Sequence, residues 1–79
     1  MSRHYERRNP PDNMARFYRL ELQPTLFGEW SLIRIWGRIG TRGRELFETH
    51  PTREAAMVSA DRLERAKCRR GYAALEGQG

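Results

Sequence analysis

The run Trp30 to Ile39, reading Trp-Ser-Leu-Ile-Arg-Ile-Trp-Gly-Arg-Ile, limits the fold more than any other part of this chain. It is dense in β-branched and aromatic residues, which suit a pleated, half-buried surface, and it alternates with period two. Ile33, Ile35 and Ile39 share one face with Ser31 and Gly37, while Trp30, Leu32, Arg34, Trp36 and Arg38 share the other. A helix would scatter both sets around its circumference. The chain therefore holds a strand here, and a strand needs partners. The isoleucine face reads as core-directed, and the second face mixes aromatic or apolar groups with arginines.

Partners are at hand on both sides. Phe17 to Gln23 alternates as well, with Tyr18, Leu20 and Leu22 on one face and Arg19 and Glu21 on the other. Pro24 ends it, and Pro24 to Glu29 is a loop long enough to reverse the chain. After Ile39, the run Gly40-Thr41-Arg42-Gly43 is a tight reversal bounded by glycines. Arg44 to His50 follows as a shorter strand with Leu46 and Phe47.

A helical regime begins at Pro51. Thr52 is a helix N-cap, and Glu54 falls in the first turn, where the helix dipole favours an anion. Ala56, Ala60, Leu63 and Ala66 or Lys67 recur as a narrow stripe of small residues suited to lying close on a sheet. Asp61 and Arg65 are spaced as an i,i+4 ion pair. Arg69 and Arg70 close the helix and Gly71 stops it. Tyr72 to Leu75 packs back on the body. At 79 residues there is room for one domain, which buries only about 60% of its unfolded surface. The expected architecture is α+β, a small antiparallel sheet of three to five strands with one α-helix packed across it. Residues 1–13 read as a disordered basic arm carrying Arg3, Arg7 and Arg8, residues 14–75 as the folded domain, and residues 76–79 as a flexible tail.

Charge narrows the partner. Lys and Arg number 15 against 10 Asp and Glu, a formal net charge of +5, and Lys67 is the sole lysine. Arginine offers a planar fork that grips phosphate and stacks on bases, so this excess points to a polyanion. A solubility role or a coding bias would produce the same excess. The single Cys68 can form neither an internal disulfide nor a zinc site alone. Met1 to Asn13 lacks the apolar stretch of a signal peptide, and no segment nears the ~20 apolar residues that span a bilayer. A cytoplasmic compartment is the expectation. There are no paired carboxylates, no Ser-His or Cys-His set and no phosphate loop, and His4 and His50 stand apart. The sequence thus predicts a protein that is not an enzyme, with no cofactor, metal or small-molecule substrate.

The run Trp36-Gly37-Arg38-Ile39-Gly40 carries the chemistry. An indole beside a guanidinium on one sheet face makes a stacking surface next to a phosphate clamp. Stacking of this kind contributes about 1–3 kcal/mol per base in single-strand binders. Gly37 removes a side chain and lets a ligand backbone come close. Arg34 and Arg38 flank Trp36 if side chains alternate regularly, and Arg42 and Arg44 lie on the same hairpin. Each residue has a plainer use: Trp36 as core, Arg38 as the partner of Glu45 or Glu48, the other arginines as solvated charges. Trp30 reads as structural. Arg69 and Arg70 serve as helix-end cations or as a second phosphate patch.

This run, in its context, resembles the WGR domain. The resemblance includes Phe17-Tyr18-Arg19-Leu20, Ile33-Arg34-Ile35, Gly40-Thr41-Arg42-Gly43, Thr52-Arg53-Glu54-Ala55-Ala56 and Lys67-Cys68-Arg69-Arg70-Gly71-Tyr72, and spans roughly Ala15 to Leu75. It implies the sheet-and-helix layout reached above. In poly(ADP-ribose) polymerases the domain contacts DNA at strand breaks, which implies that Trp36 stacks on the sugar of a terminal nucleotide and Arg38 helps tie DNA to neighbouring domains. The chain has no room for those neighbours, so the signalling role of Arg38 does not carry over. Short bacterial chains that are little more than this domain exist, and this one resembles them. The expected function is a non-catalytic nucleic-acid-binding module, DNA ahead of RNA, preferring ends, nicks or single strands. Its candidate contacts are Trp36, Gly37, Arg38, Arg34, Arg42, Arg44, Arg69 and Arg70. The alternative is a protein–protein interaction module or regulatory subunit that docks through a sheet edge.

Overall fold

Four strands that pair in chain order, a helix and a short fifth strand on the edge of the first make the domain. In a computed structural model that describes residues 1–9, 11 and 13–75, the elements are β1 (Ser2–Asn9), β2 (Met14–Pro24), β3 (Trp30–Arg38), β4 (Arg44–His50), α1 (Arg53–Arg69) and β5 (Ala73–Ala74). The strands form one antiparallel sheet in the order β4-β3-β2-β1-β5. This is the expected α+β architecture, at the upper end of the expected strand number.

Strand β1 corrects the reading of residues 1–13 as a disordered arm. Ser2 to Asn9 pairs residue for residue with β2, from Ser2 opposite Glu21 to Asn9 opposite Met14. The sequence hides this strand because one large apolar side chain, Tyr5, anchors it among charged residues. Tyr5 is 1% exposed, and its hydroxyl donates a 2.7 Å hydrogen bond to Glu64 Oε1 on α1. Burial and the neighbouring Glu64 carboxylate push the Tyr5 phenol well above its ordinary pKa, so it remains a donor across the physiological range. Beside it Arg3 Nη1 lies 2.9 Å from Asp61 Oδ1 and 3.4 Å from Glu64 Oε2. Asp61 therefore pairs with β1, and not with Arg65 along the helix. The proposed tail at residues 76–79 lies outside the described residues.

The helix lies on the face opposite to the expected one. Tyr5, Tyr18, Leu20, Leu22 and Leu32 form the core with Ala56 and Ala60, and Trp30, Trp36, Met57, Leu63 and Tyr72 pack against it. Ile33 and Ile35 point to the other side of the sheet, although both are buried. Their neighbours on that outer face are the cross-strand side chains, Arg19 and Glu45 beside Ile35 and Glu21 and Phe47 beside Ile33. The reason is a sum over strands. The isoleucine side of β3 is shared with Phe17, Arg19 and Glu21 of β2, with His4 and Glu6 of β1 and with an exposed Phe47 of β4, so its apolar groups are broken up by charged ones. The tryptophan side is shared with Tyr18, Leu20, Leu22 and Tyr5, which offer far more apolar area to a helix.

The helix ends behave as expected. Thr52 Oγ1 accepts from the Ala55 amide at 3.1 Å. At the other end Gly71 is left-handed with φ 98°, and the Gly71 and Tyr72 amides donate to the Cys68 and Lys67 carbonyls at 3.0 and 3.1 Å. That turn sends Ala73 and Ala74 back along β1 as β5. The Tyr5–Glu64 bond is one polar tie between β1 and α1, beside the Arg3 pairs with Asp61 and Glu64. Replacing Tyr5 with Phe is expected to lower stability by about 1–2 kcal/mol in urea denaturation with the sheet retained, since it leaves Glu64 short of one donor in a partly buried site.

Candidate nucleic-acid interface

Strand register places the motif. On the helix side, Tyr5, Tyr18, Trp36 and Arg44 lie in one row across β1, β2, β3 and β4. Tyr18 and Trp36 stack with ring centroids 6.4 Å apart and planes at 26°. The indole is half-buried: its inner edge joins the core, and its outer side borders an open recess of about 530 Å³ shared with Arg16, Gly37, Thr41, Gly43 and Arg44. Trp36 is thus neither sealed under α1 nor on the face away from it. It sits on the helix side, just beyond the C-terminal turn of α1.

The next row outward is made of arginines alone. Arg7 opposes Arg16, and Arg16 opposes Arg38. By alternation these three project to the same face as Tyr5, Tyr18 and Trp36. Arg16 and Arg38 line a common groove, and Arg7 Nε comes within 3.3 Å of the point where a Cβ on Gly71 would stand. Like charges directly opposite one another on a sheet repel. Among the described residues none of the three forms an ion pair; the arginine ion pairs are those of Arg3, Arg8, Arg19 and Arg34.

The helix end adds to this cationic rim. Lys67 Nζ sits 4.5 Å from the Tyr18 ring centroid and 5.6 Å from that of Tyr72. Burial, then the nearby Arg70 and Arg34 charges, lower its pKa below the ordinary lysine value. Lys67 is therefore a cation held among cations.

The expected contacts separate into groups. Trp36, Arg38, Arg44 and Arg70 come together here. Arg34 joins them in space, 5.9 Å from the Trp36 ring, but it is already engaged. Its Nε donates to the Tyr18 hydroxyl at 2.9 Å and its Nη1 to Glu48 at 3.1 Å. Burial lowers its pKa, but these two partners outweigh burial and raise it. Arg34 thus takes Glu48, one of the two carboxylates that the sequence offered to Arg38, and Arg38 is left exposed and paired with neither. Arg42 lies exposed in the β3–β4 turn and Arg69 exposed on α1.

Gly37 has a structural reason. A Cβ there would fall 2.7 Å from Gly43 Cα, so its missing side chain makes room for the hairpin's own backbone. Gly43 in turn has φ 73°, and a Cβ on it would strike the Trp36 carbonyl oxygen and lie 2.8 Å from the Phe17 ring. The two glycines close the turn that aims Trp36 and Arg38.

Arg7, Arg16 and Lys67 were missed as site residues. Arg7 was assigned to the arm, and Arg16 gains meaning only from its partners across the sheet. Once Tyr5 is known to face inward, Arg3 and Arg7 follow onto the same side of β1, but a lone tyrosine among charged residues gives no period that marks the strand beforehand.

With the geometry in place, relatives can be compared. The WGR domain family matches residues 1–78. The chain belongs to the WGR domain family. The match takes in β1, which the resemblance read from Ala15 onward had left out. The chain is 43% identical over 67 residues to an uncharacterized protein, y4dW, of Sinorhizobium fredii (strain NBRC 101917 / NGR234). That match covers 85% of this chain and 33% of the relative, so this WGR chain spans about a third of the relative's length. No solved structure matches it. Among the described residues no group of three or more His, Cys, Asp or Glu side chains is placed to hold a metal ion, and no helix is long and apolar enough to cross a membrane.

Two outcomes are expected from this geometry. Gly43→Ala should destabilise the domain by at least about 2 kcal/mol in thermal or urea denaturation, because strain and a backbone clash combine there. Arg16→Thr should raise the thermal midpoint at low ionic strength by relieving the arginine row, and that gain should vanish at ~1 M salt, where charges are screened within about 3 Å.

Proposed function

We propose that this WGR domain is a non-catalytic nucleic-acid-binding module whose contact surface is Trp36 with the row Arg7, Arg16 and Arg38. The carrying observation is that row. Three guanidinium groups stand in register on adjacent strands, facing one way, with no carboxylate paired to them among the described residues. Such repulsion costs stability in the free protein and is relieved by a bound polyanion. Adjacent strands lie about 4.8 Å apart, so the row is a ladder of cations running perpendicular to the strands. A phosphate backbone crossing the sheet along that ladder brings a base or sugar onto the open side of the Trp36 indole. Arg44, Lys67 and Arg70 close the rim, and Arg34 buttresses the aromatic pair.

DNA is favoured over RNA because the WGR family occurs in nucleic-acid-binding contexts that include DNA breaks. A half-buried indole accepts an unpaired or terminal nucleotide more readily than a base inside a duplex, which favours ends, nicks or single strands. In this reading the protein works by binding, without cofactor or catalysis, and acts on its nucleic-acid partner in the cytoplasm. The protein-docking alternative also has a structural feature behind it. Strand β4 is a sheet edge, and Leu46 and Phe47 on it are both exposed. A defined partner recovered after nuclease treatment, and lost in Phe47→Lys, would favour that alternative.

The test is fluorescence anisotropy with nicked, blunt and single-stranded oligonucleotides over a salt series. Wild type should bind at least one of them with strong salt dependence. Trp36→Ala should weaken binding roughly tenfold, within the 1–3 kcal/mol range of a lost stacking contact. Arg38→Ala should weaken binding and reduce the salt slope by about 1. Absence of binding to every probe at low salt removes the proposal.

A further inference from the structure

The outer crest of α1 carries a second set of cations that the platform does not use. Arg62, Arg65 and Arg69 are all exposed. At 3.6 residues per turn they fall within roughly 60° of one another, on the side of the helix opposite the buried Ala56 and Ala60. The row is straight, about 10 Å long, and points directly away from the sheet.

Its neighbours leave it uncompensated. Spacings of three and four residues place Arg62 beside Arg65 and Arg65 beside Arg69, and like charges at these spacings destabilise a helix. The acids that could neutralise them are drawn elsewhere. Asp61 lies against Arg3, and Glu64 against Arg3 and the Tyr5 hydroxyl, both on the β1 flank. None of the three crest arginines forms an ion pair among the described residues.

The crest also leads somewhere. The helix starts beside Trp30, where Arg53 lies 5.8 Å from the indole ring, and ends beside Tyr18 and Tyr72, where Lys67 rests. Its C-terminal end therefore opens onto the Trp36 platform through Arg70, whose charge acts on Lys67.

Resting on the nucleic-acid reading above, we propose that Arg62, Arg65 and Arg69 form a separate contact for the backbone of a duplex, while the platform holds an unpaired or terminal nucleotide of the same molecule. A rigid, straight row of cations suits a rigid polyanion: duplex DNA presents one charge per roughly 1.7 Å of axis without having to be ordered first. A single strand has to be straightened to meet the same row.

The experiment compares two probes with wild type and the variant Arg62→Ala/Arg65→Ala/Arg69→Ala. One probe is a short single-stranded oligonucleotide that covers the platform alone. The other is a duplex with a short single-stranded overhang. Circular dichroism should show the variant folded, with a thermal midpoint no lower than that of wild type. Its affinity for the overhang duplex should fall at least tenfold, and the slope of log K against log salt should drop by about 2–3. Its affinity for the short single strand should stay within about twofold of wild type. Equal losses on both probes would mean a general field effect, and unchanged duplex binding would mean a solvated face; either result overturns the proposal. If wild type binds the duplex but the single strand not at all, the platform reading fails while the slope still reports on the crest. Binding of an acidic peptide at this crest in preference to the duplex would also overturn it.

Discussion

Tyr18 stands where three parts of the domain meet. It is buried on the central strand β2, with Tyr5 across one ladder and Trp36 across the other. Its hydroxyl accepts from Arg34, its ring lies under Lys67, and the edge of Tyr72 meets it at a centroid distance of 6.3 Å. Burying this aromatic row under α1 sets which side of the sheet is the inside. Once that side is chosen, Leu20, Leu22 and Leu32 follow inward by alternation, and the small residues Ala56 and Ala60 allow the helix to lie close. A small domain has little surplus stability, so a single well-packed row of this kind carries a large share of its order.

The candidate site is a by-product of the same packing. The helix covers the Tyr5–Tyr18–Trp36 row only in part, because Gly71 turns the chain away just past Lys67 and Arg70. The edge of the indole is left open there, and the next row, Arg7 to Arg38, lies beyond the end of the helix. Apolar burial and like-charge repulsion thus act against each other along a single sheet face. The inner rows bury apolar area, and the outer row gathers like charges with no ion pair to balance them among the described residues. An arrangement that is costly in isolation and favourable with an anion bound is what a binding surface on a small rigid scaffold requires.

Much of the fold was legible. Strands β2, β3 and β4, the glycine-bounded turn, the Thr52 cap and the Gly71 stop all rest on local rules, and each was readable from a few neighbouring residues. The pairing of Trp36 with flanking basic residues was readable too, since alternation along β3 is local. Strand β1 was not, because Tyr5 alone among charged side chains does not make a period. The choice of inner face was misread for a related reason. Three isoleucines on β3 outweigh its tryptophan side when that strand is judged alone, and lose once Tyr5, Tyr18, Leu20 and Leu22 are added from its neighbours.

By itself the sequence determined strands β2, β3 and β4, the helix with its cap and stop, and the two faces of those strands, because period, capping and turn chemistry act over a few residues. Only the tertiary structure decided which faces came together and which residues stand opposite one another. Register aligned Arg7, Arg16 and Arg38 from three strands, gave Glu48 to Arg34 and Asp61 to Arg3, and thereby left the outer arginines without an ion pair among the described residues. Those outcomes depend on apolar area summed over several strands and on long-range pairing, which no local pattern in the chain encodes.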